Sequence, residues 1–306
     1  MSLNWQERIG NQRDWVWRGW QTRYSFTNPL IVDNLSQVPL ILLHGFGASI
    51  EHWRSNIPIL GRERRVYALD LLGFGGSRKA DIEYSVYLWV EQVYDFWQTF
   101  VQCPVILVGN SLGSLVCFAA AAAYPDMVAG IVMISVPDIS LLQKNIPQWA
   151  KSLERKVKAC IAFPPLLKLI FKLVRQPRIV RIWARVAYSQ KSAITKELLG
   201  ILTAPASDRD AEKAFVGLFK GSGNSHFAPS AQDTLPKLTL PILLIWGKED
   251  RMVPFALASS LAKLNSQIEL SELEETGHCP HDEYPQKFNA LLLAWLKKYF
   301  SSEAGS

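Results

Sequence analysis

The chain has 306 residues, of which 49% are hydrophobic and 20% are charged, and it carries a formal net charge of +6. These proportions are typical of a folded protein with a large core and exclude a disordered chain. No stretch approaches 18 apolar residues without a charge, which excludes a bilayer-spanning helix. The positive charge is concentrated between residues 138 and 235, which hold sixteen Lys and Arg against seven Asp and Glu.

The N-terminus lacks the apolar segment of a secretory signal peptide. The four cysteines show neither CxxC nor metal-site spacing, so we expect reduced thiols in a cytosol-like compartment. The protein is therefore expected to be cytoplasmic or peripherally attached to a membrane, and not secreted. Residues 301–306 are expected to form a disordered tail.

Short apolar runs alternate with helical stretches in the first half of the chain. The runs predict strands at 38–44, 65–70, 105–109 and 128–135. The stretches between them predict helices at 50–60, 85–101 and 112–124. Residues 15–27 alternate weakly and predict an antiparallel pair of strands at the sheet edge.

The same alternation returns after residue 235. It predicts strands at 241–246 and 268–272 and helices at 254–264 and 284–300. Because strands alternating with helices form a parallel sheet covered on both faces, the fold class is α/β. The segment 138–235 interrupts the alternation and is predicted to be a helical lid over the carboxyl edge of the sheet. Residues 1–137 and 236–300 then form the core.

A G-x-S-x-G sequence, Gly109-Asn-Ser-Leu-Gly113, lies between a predicted strand and a predicted helix. A serine that projects from so tight a turn brings its neighbours close to other backbone, which requires small residues on both sides. The arrangement resembles the nucleophile elbow of α/β-hydrolases and makes Ser111 the candidate nucleophile. The alternative is a Gly-rich connection without chemistry.

Two partners for Ser111 follow in the chain order of this fold. Asp250 lies after a predicted strand and is the candidate acid, although an aspartate there also commonly caps a helix. Glu249 and Asp138 are alternative acids. His278 follows the last strand, where Gly277 permits a tight turn, and is the candidate general base.

The other histidines receive different assignments. His44 belongs to a Gly-rich loop after the first predicted core strand, where the backbone N–H groups of Phe46 and Leu112 are the candidate oxyanion hole. The alternative there is an ordinary loop between strand and helix. His52 is assigned to a helix and His226 to the lid. His281 is expected on the surface.

No cofactor or metal site is expected. The glycines at 73, 75 and 76 have the wrong spacing for a dinucleotide fingerprint. Neither a phosphate-binding loop nor a paired-histidine metal motif is found.

The loops at 44–53, 67–75, 109–114 and 277–280 resemble those of the chlorophyll dephytylases and pheophytinases of plants and cyanobacteria. The resemblance implies a serine hydrolase that removes phytol from a chlorophyll-type ring, with Ser111, Asp250 and His278 as its triad. It also implies a location at the thylakoid membrane. The lid matches that family only loosely.

The lid contains an apolar run, 160–174, with Lys168 and Lys172, and the residues that follow are rich in arginine and include Trp183. An apolar stripe edged by cations is typical of a helix that lies on an anionic lipid surface. A lid helix that packs its apolar side on the core would show the same pattern. The apolar content argues against nucleic acid as a partner.

The sequence thus favours hydrolysis of an apolar carboxylic ester, with chlorophyll or pheophytin as the expected substrate. An esterase, a lipase or a C–C bond hydrolase acting on another apolar molecule is the alternative within enzymes. Epoxide hydrolases and haloalkane dehalogenases of this fold carry Asp where this chain has Ser111. A non-catalytic pigment- or membrane-binding protein is the alternative from a different class.

Overall fold

The computed structural model describes residues 5–29, 37–138, 163–224 and 226–301. The strands in these ranges are β1 (Asn11–Trp17), β2 (Trp20–Thr27), β3 (Leu40–Leu43), β4 (Val66–Leu69), β5 (Val105–Asn110), β6 (Val128–Ile134), β7 (Ile242–Gly247) and β8 (Ile268–Leu273). They form one sheet in the order β1-β2-β4-β3-β5-β6-β7-β8. The pairs β1–β2 and β2–β4 are antiparallel, and all other pairs are parallel. The predicted α/β fold with an antiparallel edge pair is confirmed.

Helices cover this sheet and extend over one of its edges. Those of the core are α1 (Trp5–Arg8), α2 (Ile57–Leu60), α3 (Val86–Phe100), α4 (Leu112–Ala123), α10 (Ala256–Ala262), α11 (Pro280–Glu283) and α12 (Pro285–Phe300). Those inserted between β6 and β7 are α5 (Pro164–Val174), α6 (Pro177–Ala187), α7 (Lys196–Thr203), α8 (Ala211–Ser222) and α9 (Ala231–Thr234). Short 3-10 turns span Ile50–Trp53, Lys191–Ala193, Ala204–Ser207 and Leu235–Lys237.

The predicted helix 50–60 is two shorter elements. A 3-10 turn ends at Trp53, and α2 begins at Ile57 with Pro58 in its first turn. A proline at that position has no N–H to donate to the preceding turn, so a single helix cannot run through it.

The central parallel strands, β3 to β7, are buried on both faces, whereas β8 at the sheet edge is only partly buried. Ile41 and Leu43 of β3 pack into the apolar layer that α3 and α4 cover, while Leu40 and Leu42 face the opposite layer with α2 and α12. Side chains alternate across a strand, so an uninterrupted apolar run is what a doubly covered strand requires.

The inserted helices are anchored to the core through α8. A Cβ atom at Gly217 would meet the backbone oxygen of Ile82, and one at Gly221 would meet that of Tyr84. This close approach therefore needs glycine at both positions. Helix α5 in turn packs on α8, with the Phe171 and Phe215 ring centroids 5.2 Å apart.

The first part of the predicted lid, 139–162, and all but the first residue of the predicted tail lie outside the described residues. The division of the chain into core and lid at residues 137 and 236 stays a prediction. Within the described ranges, no helix combines the length and the apolar character needed to cross a membrane.

A buried polar cluster joins the inserted helices to the core. Tyr188, just after α6, donates its hydroxyl proton to Asp282 Oδ2 over 2.6 Å and lies 2.7 Å from His52 Nε2. On the other side, His52 Nδ1 lies 3.3 Å from His281 Nε2. One proton arrangement satisfies all three contacts: His281 donates to His52, His52 donates to Tyr188, and Tyr188 donates to Asp282.

The prediction of a surface position for His281 is wrong. Its side chain is completely buried and its ring packs on Trp53, with centroids 4.2 Å apart. The short helix α11 turns the chain back under the sheet edge, which no local pattern in the sequence indicates. Burial lowers the pKa of His52 to about 4 and that of His281 well below its usual range, so both rings are neutral in the folded protein.

Ion pairs continue the cluster towards the N-terminus. Arg54 Nη1 lies 2.7 Å from Asp282 Oδ1, and Arg54 Nε donates to Glu197 Oε1 over 2.6 Å. Glu197 also receives a bidentate contact from Arg8 at 2.7 Å. The chain of contacts from Arg8 to His52 thus links α1, α7 and the segments beside the sheet edge.

We expect the buried histidines to make folding stability pH-dependent. In the unfolded chain they bind protons below about pH 6.5, whereas in the folded protein their depressed pKa values keep them neutral, so their stabilising contribution is complete above pH 6.5 and is lost as the pH falls towards 4. His281→Gln should lower the slope of the unfolding free energy against pH by up to about 1.4 kcal/mol per pH unit in this window. Urea unfolding at several pH values measures it, and parallel curves for the two proteins would contradict the prediction.

Candidate active site

Ser111 occupies a strained turn between β5 and α4. Its backbone has φ 52° and ψ −112°, a conformation that L-residues rarely adopt. A Cβ atom at Gly109 would meet the backbone of Gly113, and one at Gly113 would meet that of Leu43. The two glycines therefore permit the close contacts that the turn requires. Strain of this kind costs roughly 1–3 kcal/mol and persists only where neighbouring contacts enforce it.

Hydrogen bonds from the sheet hold this turn. The Ser111 N–H donates to Ile134 O over 2.8 Å. Ser114 Oγ accepts the Ile134 N–H at 2.9 Å and lies 2.7 Å from Gly109 O. The end of β6 thus fixes the turn from both sides.

The structure places Asp250 against His278. His278 Nδ1 lies 2.8 Å from Asp250 Oδ2, and both side chains are buried. The second oxygen, Asp250 Oδ1, accepts the backbone N–H groups of Met252 and Val253 at 2.8 and 2.9 Å. Asp250 therefore has both roles that the sequence allowed. Its Oδ1 accepts backbone N–H groups of its own turn, and its Oδ2 contacts the imidazole of His278.

The two alternative carboxylates lie elsewhere. Asp138 Oδ2 accepts the Ala231 N–H at 2.9 Å, at the start of α9. The side chain of Glu249 is exposed to solvent. With Nδ1–H donated to Asp250, the Nε2 atom of His278 remains an acceptor beside the cavity that Ser111 also lines.

The loop that carries His278 is held by the core and by the inserted helices. The His278 N–H donates to Ala187 O at the end of α6 over 2.6 Å, and Asn110 Nδ2 donates to His278 O over 3.1 Å. Gly277 N–H donates to Glu283 Oε2 over 2.7 Å. Asn110 thus joins the elbow to the histidine loop, a role that its place inside the G-x-S-x-G sequence does not reveal.

His44 orders the candidate oxyanion loop from beneath. Its Nδ1–H donates to Gly45 O over 2.7 Å and its Nε2 accepts the Leu71 N–H at 3.1 Å. Complete burial lowers its pKa to about 4, which keeps this neutral form. Within the part of the chain that the structure describes, the Phe46 and Leu112 N–H groups have no protein acceptor. Both amides therefore remain available to a ligand oxygen.

Asp70 orders the neighbouring loops. Its two carboxylate oxygens accept the N–H groups of Ile50 and Gly76 at 2.8 and 2.7 Å. Burial raises the pKa of Asp70 to about 7. The sequence shows Asp70 only as the last residue of a predicted strand, so this structural role was missed.

A cavity of about 490 Å³ lies between the sheet edge and the inserted helices. Ser111 and His278 line it together with Asn110, His52 and Tyr188. Its apolar wall includes Phe74, Ile170, Phe171, Phe215, Leu218 and Phe219. Among the described residues, no group of three His, Cys, Asp or Glu side chains is arranged to hold a metal ion. The cavity is of a size and character typical of sites for apolar small molecules.

Comparison with known proteins agrees with this architecture. Residues 38–285 match the family model described as α/β-hydrolase fold. The chain is 24% identical over 301 residues to the chloroplastic pheophytinase of Arabidopsis thaliana, covering 87% of this chain and 62% of that protein. It is 26% identical over 267 residues to 2-hydroxy-6-oxo-6-(2'-aminophenyl)hexa-2,4-dienoic acid hydrolase of Metapseudomonas resinovorans, covering 85% and 84% of the two chains.

Among solved structures, a bacterial membrane phospholipase A superposes with a TM-score of 0.76 at 24% identity. The match covers 96% of this chain and 88% of that one. At this identity the likeness concerns the fold. The family match, which extends over most of the chain, decides the classification: the protein belongs to the α/β-hydrolase fold family and is a hydrolase.

Proposed function

We propose that the protein hydrolyses a carboxylic ester with a long apolar alcohol, through an acyl-enzyme on Ser111. The observation that carries the proposal is the 2.8 Å contact between His278 and Asp250 beside a cavity that Ser111 also lines. The substrate we propose is the phytyl ester of chlorophyll or pheophytin, which would be split into phytol and chlorophyllide or pheophorbide.

The reaction would proceed in two halves. Ser111 Oγ attacks the ester carbonyl carbon while its proton passes to His278 Nε2, and the carbonyl oxygen becomes an oxyanion that accepts from the Phe46 and Leu112 amides. The bond to the alcohol then breaks, and His278 returns the proton to the departing alkoxide. Water repeats these steps on the acyl-enzyme and releases the acid. Asp250 holds the imidazole and stabilises its charged form. These steps require no cofactor.

The apolar cavity wall supports an apolar substrate, and the pheophytinase of Arabidopsis thaliana is among the relatives. Because the chain spans only 62% of that protein, the pigment substrate rests on the cavity and the loop resemblance together. Peripheral attachment to the thylakoid membrane belongs to the same proposal.

A second candidate is hydrolysis of a C–C bond in a smaller molecule. The hydrolase of Metapseudomonas resinovorans supports it, since this chain covers 84% of its length. A lipid esterase would use the same groups. A non-catalytic binding protein is disfavoured, because a pocket that only binds does not need a strained serine beside a buried His278–Asp250 pair.

We expect wild-type protein to be labelled by a fluorophosphonate probe, which reacts with activated serines. Ser111→Ala should abolish labelling, because the alanine has no hydroxyl to react. Ser222→Ala, which removes an exposed hydroxyl on α8, serves as the matched control and should label like wild type. In-gel fluorescence measures the result, and equal labelling of the Ser111→Ala protein would refute Ser111 as the nucleophile.

Asp250→Asn should lower kcat on a chromogenic ester by about 10⁴-fold, because the amide cannot hold the imidazole in the required tautomer or stabilise its charge. The Tm should change little, since the Asn oxygen can still accept the Met252 and Val253 amides. Asp138→Asn and Glu249→Gln are the controls and should retain activity within about a few-fold of wild type. Near-normal turnover by the Asp250→Asn enzyme would show that another carboxylate orients His278.

Incubation with chlorophyll a and pheophytin a should release dephytylated pigment, which chromatography resolves from the starting material. The Ser111→Ala protein should release none. A 2-hydroxy-6-oxo dienoic acid, assayed in parallel, tests the alternative of C–C bond hydrolysis. Cleavage would shorten its conjugated system and so remove its absorbance. Turnover of simple esters or of the dienoic acid, with both pigments unchanged, would rule out dephytylation and leave the hydrolase assignment in place.

A further inference from the structure

Helices α5 and α6 present a surface of exposed apolar side chains. Five large residues on and beside these helices are between 52 and 58% exposed: Phe163, Leu169, Leu173, Ile182 and Trp183. Leu169 and Leu173 lie four positions apart and so share one face of α5. Exposed apolar residues grouped in this way are characteristic of surfaces that bind a partner or a membrane.

The same surface carries an excess of positive charge. From residue 163 to residue 196 the chain has eight Lys and Arg and no Asp or Glu. Lys168 pairs with Glu212 on α8 at 3.3 Å. Among the described residues, the other cations of α5, α6 and the turn between them form no ion pair: Lys172, Arg175, Arg178, Arg181 and Arg185. Apolar side chains fringed by these cations complement an anionic interface.

The mouth of the cavity lies on this surface. Arg175 and Trp183 line the cavity and are also exposed to solvent, so they stand at its rim. Phe46, which also lines the cavity, is 52% exposed. A molecule that leaves an apolar phase at α5 and α6 would therefore pass directly into the cavity.

We propose that α5 and α6 dock on an anionic lipid bilayer, with Leu169, Leu173, Ile182 and Trp183 inserted among the acyl chains and the arginines at the headgroups. Both components of the surface support this occupant, because the apolar residues supply burial and the cations supply attraction to anionic lipid. An acidic protein would pair with the arginines and leave the exposed leucines and tryptophan unexplained. The route of the apolar ester from bilayer to cavity rests on the proposed function, whereas the docking itself does not.

Vesicle sedimentation tests the charges. We expect Ser111→Ala protein, which cannot turn over substrate, to bind vesicles of phosphatidylcholine and phosphatidylglycerol far better than vesicles of phosphatidylcholine alone. Arg178→Glu combined with Arg181→Glu should lower the partition coefficient about tenfold or more. The control, Lys237→Glu with Lys297→Glu, makes the same change in net charge away from α5 and α6 and should bind within about twofold of the parent. Equal losses in both variants would show that net charge alone drives binding and would overturn the docking surface.

A second pair of variants tests the apolar contacts. Introduced into the catalytically intact wild-type protein, Leu169→Glu combined with Ile182→Glu should lower vesicle binding and the turnover of a vesicle-embedded ester by about tenfold or more, while turnover of a soluble short-chain ester stays at the wild-type rate. The control changes Val16 and Tyr87, two exposed apolar residues on β1 and α3 of the core, to Glu and should leave both activities intact. Wild-type vesicle binding by both test variants would refute the docking surface. Failure of the wild-type protein to turn over the soluble ester would instead refute the proposed function.

Discussion

The steric crowding at the start of α4 is the constraint on which the site depends. A chain that leaves β5 and enters α4 within one residue places Ser111 at a positive φ and brings the backbone at 109 against that at 113. Only glycine fits at those two positions. The turn lies between the end of β6, which hydrogen-bonds to it, and the Gly45 loop, where a Cβ atom at Gly45 would come within 2.9 Å of Asn110 Oδ1. Ser111 and the backbone amides of Phe46 and Leu112 therefore share one rigid frame.

The histidine is held differently. Its side chain contacts Asp250 from the core, but its backbone N–H donates to Ala187 of the inserted helices. Tyr188, the residue after Ala187, donates to Asp282 on α11, the helix that follows the His278 loop. The position of the imidazole thus depends on the inserted segment as well as on the sheet. The strand ends of the sheet alone therefore do not determine where the imidazole lies.

The sequence predicted the elements whose signals are local. The apolar runs identified β3 to β7 to within two residues at each end, because buried parallel strands are uninterrupted apolar segments, and the alternation of strands with helices placed β8 as closely. Ser111 and His278 could be selected because the glycines beside them imply tight turns at strand ends. The sequence placed Asp250 ahead of Asp138 as the candidate acid, but only the structure shows each carboxylate with its own partner. The buried position of His281 and the roles of Tyr188 and Asn110 depend on contacts between residues far apart in the chain, and no local pattern encodes them.

The contacts from Arg8 through Glu197 and Arg54 to Asp282 tie the inserted helices to the core. They therefore limit whether these helices could be replaced by the insertion of another hydrolase. A hybrid that exchanged this insertion for one from another hydrolase would leave the Asp282 carboxylate and the His52 ring without Tyr188, and Arg54 without Glu197. Buried groups deprived of partners are costly, so the exchange would disturb the very loop that bears the imidazole. The insertion and the sheet edge form one structural unit, so changing single residues of the cavity wall would leave these contacts in place, whereas transplanting the whole segment would remove them.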